Sequence, residues 1–238
     1  MPLAVYIKEN TAAKVARARK KDRTFALTLL SIGIISIVFS VWPYFSWQLI
    51  TLPRLTSKIK EVPIPQGQVL SGTSIPQNNI QVVTEPDGFS YFSTTYKPKE
   101  PRPDEFTITI PKLKIDKAKV KVDSTDFSKS LALFPGTAIP GDVGNSFITG
   151  HSVLPQFNDP KNYRAIFTRL SDLEVGDDIY VTVEGKTLHF TVQYSKVVDP
   201  KDLSVLSPIS QNGRNLTLMT CVPPGTSTKR LVVITGLI

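Results

Sequence analysis

Two kinds of pattern divide the chain. From Phe106 onward, apolar and polar residues alternate in short runs: FTITI (106–110), PKLKIDKAKVKV (111–122), SFITG (146–150), DIYVTV (178–183), TLHFTVQYSKVV (187–198), LTLMTC (216–221) and RLVVITGLI (230–238). Period-two runs bounded by Gly, Pro, Asn and Asp read as β-strands. Seven or eight short strands in one domain predict a sandwich or a barrel, and closure would leave no exposed edge. One stretch breaks the alternation: Ile166, Phe167 and Leu170 fall on one face of a helical period, which predicts a short helix over 163–170 packed on the core.

The second pattern is a long run without charge. No charged residue occurs from Thr24 to Pro53, and positions 25–41 are almost wholly Leu, Ile, Val, Phe and small residues. That length and composition predict a bilayer-spanning helix over 24–47, with Trp42, Tyr44, Phe45 and Trp47 as its interfacial aromatic belt. A cleaved signal peptide would have a shorter apolar core running into a small-residue cleavage site. Here the run ends in Trp42, Pro43, Tyr44 and Phe45, so an uncleaved anchor is expected.

Charge orients that anchor. Residues 1–23 hold seven basic side chains (Lys8, Lys14, Arg17, Arg19, Lys20, Lys21, Arg23) against Glu9 and Asp22, a net +5 of the formal +8. A basic tail before the span predicts a cytoplasmic N-terminus and an extracellular C-terminal domain. The remaining +3 gives no case for nucleic acid.

Between the span and the strands the pattern dissolves. Pro53, Pro63, Pro65, Pro76, Pro86, Pro98, Pro101 and Pro103 recur among Ser, Thr, Gln and Asn. Such composition predicts an extended linker over 48–104, with the strand domain occupying 105–238. An alternative is that part of the linker, 89–96 with Tyr91 and Phe92, packs on the strand domain as a lid or extra strand.

At 41% hydrophobic and 20% charged residues, the chain is globular rather than disordered. Its single cysteine, Cys221, excludes an internal disulfide framework. Cys221 closes a β-prone run, a Pro223-Pro224-Gly225 turn follows, and Arg230 enters the next run. A thiol with a cation returning beside it supplies a nucleophile and an anion stabiliser within one hairpin-sized segment. Of the two histidines, His189 sits inside a plain strand pattern and is expected to be structural. His151 ends a strand and opens an irregular stretch, where catalytic groups are commonly displayed. A buried inert cysteine is the alternative reading of Cys221.

Taken together, PGTAIPGDVGNSFITGH (135–151), TLMTC (217–221) and Arg230 in TKRLVV resemble the sortase family of cysteine transpeptidases. The TLxTC box is matched by Thr217, Leu218, Met219, Thr220 and Cys221, and the order histidine, cysteine, arginine agrees. The resemblance covers roughly residue 106 to the end. It implies an all-β fold, a closed eight-stranded barrel with one or two short helices. It also implies a catalytic set of Cys221, His151 and Arg230, with Thr220 shaping an oxyanion site.

The implied substrates are secreted proteins with an LPxTG-like C-terminal sorting signal, and the implied acceptor is an amine on a cell-wall peptide or a protein lysine. No cofactor is implied, and the acidic residues of the strand domain show no calcium-ligand spacing. The short interval from Cys221 to Arg230 leaves little room for a long flexible loop. An acidic-aromatic lid motif described in some sortases has only a loose match in Asp87-Gly88-Phe89. A membrane-anchored binding or scaffold module on the same barrel is the alternative function. Cell-wall transpeptidases of other types usually join histidine and cysteine in one short motif, which this chain lacks.

Overall fold

The computed structural model describes residues 11–53, 80–84, 90–98, 101–210 and 212–238, and the side chains of these apart from 11–21, 84 and 90. The chain forms two compact units, Met1–Phe45 and Ser46–Ile238.

In the first unit, helix α1 (Thr11–Ser46) carries the charge-free run. A span of 30 residues, Asp22–Thr51, with a mean hydropathy of 2.3, is long and apolar enough to cross a membrane. Phe25, Leu30, Ile35 and Phe39 are exposed along it. The Thr28 and Ser31 hydroxyls donate to the carbonyls of Phe25 and Leu27 at 2.7 and 2.9 Å, so neither would need a partner in lipid.

The second unit is built on strands. β1 (Ile80–Thr84) and β2 (Ser90–Thr94) pair as an antiparallel hairpin. The barrel follows with β3 (Glu105–Ile110), β4 (Ile115–Lys121), β5 (Leu131–Leu133), β6 (Gly144–Thr149), β7 (Asp178–Val183), β8 (Lys186–Val198), β9 (Arg214–Val222) and β10 (Lys229–Leu237). These eight strands close in the order β10-β8-β7-β3-β4-β5-β6-β9, with β9 returning to β10. Pairing is antiparallel except for β4 with β5 and β6 with β9.

Strand alternation separates two apolar faces. Ile108, Val120, Ile148, Leu218, Leu231 and Val233 belong to the cluster that fills the barrel. Phe147, Met219, Val232 and Ile234, their neighbours in sequence, belong to a second cluster on the outer wall of β6, β9 and β10. Phe92 of the hairpin, 6% exposed, and Val205 and Leu206 complete that second cluster. Phe92 meets Phe134 edge-on at 6.3 Å and Phe147 at 6.1 Å between ring centroids.

Four expectations change. The helix expected over 163–170 is a series of turns ending in a 3-10 turn, Leu170–Asp172. The Phe167 N–H donates to the His151 carbonyl instead of to its own segment, which breaks a helical ladder. Ile166, Phe167 and Leu170 are nonetheless buried. The long run 111–122 begins with a 3-10 turn, Pro111–Leu113, and a left-handed Lys114 (φ 58), so that β4 turns back on β3. Trp47 is not interfacial: it is 6% exposed and packs with the apolar cluster of its unit, since an indole buries a large apolar area. The stretch read as linker holds the β1–β2 hairpin, whose Tyr91 and Phe92 are the residues named in the alternative packing. Asp87, Gly88 and Phe89 lie outside the described residues.

Candidate active site

The site is assembled by register. β6 runs parallel to β9 from Gly144 opposite Arg214 to Thr149 opposite Met219, so His151 and Cys221 each lie two residues beyond the last pair. β10 runs antiparallel to β9 with Arg230 directly opposite Cys221. Cys221 and Arg230 share the outer face with Met219 and Val232, because residues two apart in a strand face the same way. The three residues singled out in the sequence therefore meet at one end of three adjacent strands. His189 is elsewhere, on β8, where it bonds Asp178 at 2.7 Å and stacks on Tyr180 at 4.7 Å.

Local chemistry explains each placement. Gly150 precedes the imidazole, and a Cβ there would lie 2.6 Å from side-chain atoms of both Leu131 and Phe167. Only glycine admits that approach. His151 packs on the Phe127 ring at 4.3 Å. Arg230 is 2% exposed, and its Nη1 donates to the carbonyls of Ser227 and Lys229 at 2.8 and 3.0 Å, which fastens the guanidinium to the turn before β10. That turn is short, as its sequence indicates, and it packs on the His151 loop: a Cβ on Gly225 (φ 81) would lie 2.8 Å from Leu154.

Electrostatics favour a neutral resting pair. Burial pushes the Cys221 thiol up, and the Arg230 charge opposes that shift. Burial lowers the His151 imidazole, the Arg164 cation adds to the effect, and Asp126 opposes it. Burial also lowers the Arg230 guanidinium, which nonetheless stays charged at neutral pH. A neutral thiol and a neutral imidazole at the ends of adjacent strands are residue types suited to act as a nucleophile and a general base.

A cleft opens beside the thiol. Met219, Cys221 and Arg230 line it together with Phe127, Phe134 and Tyr91 and Phe92 of the hairpin. The hydroxyl of Thr220, 2% exposed, donates to the Gly150 carbonyl at 2.8 Å. Sequence reasoning missed Phe127 and Ser152, whose hydroxyl donates to the Cys221 carbonyl at 2.6 Å. Phe127 carries no periodic signal, and the partner of Ser152 is a backbone atom that no side-chain pattern marks.

A closed eight-stranded barrel with cysteine, histidine and arginine at one end of three adjacent strands defines the class of protein. The sortase domain model matches residues 108–238, more than half of the chain, and the chain belongs to the sortase family of transpeptidase enzymes. Among solved structures, a lid mutant of sortase A from Corynebacterium diphtheriae is similar at 30% identity, covering 59% of this chain and 73% of that one, with a TM-score of 0.49. A sortase D5 transpeptidase from Clostridium perfringens is similar at 25% identity, covering 57% and 79%, with a TM-score of 0.48. Sortase C-1 from Actinomyces oris is similar at 27% identity, covering 56% and 72%, with a TM-score of 0.48. A search of curated proteins gave no match.

Proposed function

We propose that this sortase cleaves an LPxTG-like C-terminal sorting signal on secreted proteins and transfers the acyl group to an amine. Cys221 Sγ attacks the scissile carbonyl as its proton passes to His151. The imidazolium then protonates the leaving amine, and a thioester remains on Cys221. An incoming amine gives its proton to His151 and displaces the thiol. The acceptor is a cell-wall peptide amine or a lysine of another protein. Arg230 donates hydrogen bonds to the oxyanion or to the substrate backbone, and Thr220 helps to shape the oxyanion site.

The domain plan follows the charge pattern. Residues 1–23 are a cytoplasmic basic tail, 24–47 the membrane anchor, 48–104 a linker that carries the hairpin, and 105–238 the extracellular catalytic barrel. The N-terminus stays inside because its cations resist translocation.

The single observation that carries this reading is the meeting of Cys221, His151 and Arg230 at one end of β6, β9 and β10. The test incubates the full chain in detergent with a library of LPxTG-like fluorogenic peptides, with and without amines, using Cys221→Ala as control. A Cys221-bound acyl adduct found by mass spectrometry, with amine-dependent ligation, supports transfer. A thiol that alkylates with a small probe yet acylates with no peptide sinks the reading in favour of a binding or scaffold module.

A further inference from the structure

The backbone ladder between β6 and β9 stops short of the candidate catalytic residues. Its last pair is Thr149 with Met219, and one more bond follows, from the Gly150 N–H to the Met219 carbonyl at 3.1 Å. Beyond that, side chains take over. The Thr220 hydroxyl donates to the Gly150 carbonyl at 2.8 Å, and the Ser152 hydroxyl donates to the carbonyl of Cys221 itself at 2.6 Å. Hydroxyls on opposite strands thus continue a parallel pairing for two residues past its end.

The Ser152 bond has a special address. Ser152 is the covalent neighbour of His151, and its acceptor is the backbone of the residue that bears the thiol. One hydroxyl therefore spans from the base to the nucleophile. The other bonds of the His151 loop face away from β9: the Phe167 N–H reaches the His151 carbonyl at 3.0 Å, and the Val153 N–H reaches Thr168 Oγ1 at 3.0 Å. These hold the loop to the segment after it, while the Thr220–Gly150 bond, the contact of Leu154 with Gly225 and the Ser152 bond tie it to β9 and its turn, and of these three the Ser152 bond ends on Cys221.

We infer that Ser152 is a positioning residue for acyl transfer, its hydroxyl setting the approach of the imidazole to the thiol through the Cys221 carbonyl. The inference rests on the Cys-His-Arg reading of the site. Proton transfer between thiol and imidazole depends steeply on their separation, whereas fold stability gains only one hydrogen bond from Ser152. Its loss is therefore felt mainly in the chemical step.

The test uses the full chain in detergent, as Ser152→Ala and as Ser152→Thr, which keeps the hydroxyl. The first readout is the rate of Cys221 alkylation by iodoacetamide against pH, which needs no peptide. The charged groups around His151 and Cys221 are Asp126, Arg164 and Arg230, and neither substitution alters them. Ser152→Ala is expected to change the inflection that His151 imposes on the alkylation profile, and Ser152→Thr to restore it.

The second readout is peptide turnover. Ser152→Ala is expected to lower kcat roughly ten- to a hundredfold, with KM within about twofold, and Ser152→Thr to recover most of that loss. A Ser152→Ala protein with wild-type profile and wild-type kcat overturns the inference. So does a loss shared by both variants and accompanied by earlier melting, which marks a merely structural role. If the wild-type protein turns over no peptide, the proposed function fails, and the alkylation profiles still decide the role of Ser152.

Discussion

Replacing Phe92 by alanine should detach the β1–β2 hairpin while leaving the barrel folded. Phe92 is 6% exposed and is held by Phe134 and Phe147. Burying a phenylalanine side chain contributes about 1.5–3 kcal/mol, and favourable aromatic pairs add about 0.5–1.5 kcal/mol. The sum, about 2–4.5 kcal/mol, approaches the 3–5 kcal/mol typical of Phe→Ala in a core. An isolated two-stranded hairpin is marginal in water. Once its anchor is gone, undocking becomes the cheapest response, so the global loss is capped by the docking free energy.

Hydrogen exchange separates these responses. Amides of 80–84 and 90–94 should lose protection by roughly a hundredfold, at about 1.4 kcal/mol per tenfold. Amides of β3 and β7 should keep theirs. A hairpin that stays protected, or a barrel that loses as much as the hairpin, would refute the reasoning.

Three further outcomes are expected. A chain beginning at residue 105 lacks Phe92 and leaves Phe134 and Phe147 uncovered, so it should bind a hydrophobic dye and aggregate more than one beginning near residue 78. Thr220→Val removes the donor to the Gly150 carbonyl and should cost about 1–3 kcal/mol in denaturant titration, because a buried acceptor loses its partner. The lowered His151 means that the unfolded chain binds the extra proton first. Stability therefore rises with pH across the window just below the ordinary imidazole range, and the contribution is lost as pH falls through it. His151→Gln should flatten that part of a melting-temperature profile.

Much of the barrel was legible because alternation is a local signal. Each of the seven runs contributes to a strand, and Cys221, His151 and Arg230 were distinguishable by position at strand ends. What escaped the sequence was set by distant partners. β5 has three residues and is a strand only because β4 and β6 flank it. Ile166, Phe167 and Leu170 read as helical because their burial has the right spacing, although the Phe167 amide bonds outside its own segment. The hairpin was masked by a proline-rich composition, and its value to the fold lies in an outer apolar wall that alternation alone leaves uncovered. Ser152 was invisible because its acceptor is a carbonyl 69 residues away.

The parallel pairing of β6 with β9 carries a consequence for biosynthesis. The histidine strand is made well before its neighbour, since the ties between the two loops span 69 and 70 residues. Until β9 pairs with β6, and the later β10 with β9, the histidine strand lacks the neighbour that bears the thiol and the barrel has an open seam. Closure of that seam and assembly of the candidate site are one event, in which the slow long-range contacts form last. A chain still being synthesised thus lacks the assembled candidate site until β9 and β10 are both in place.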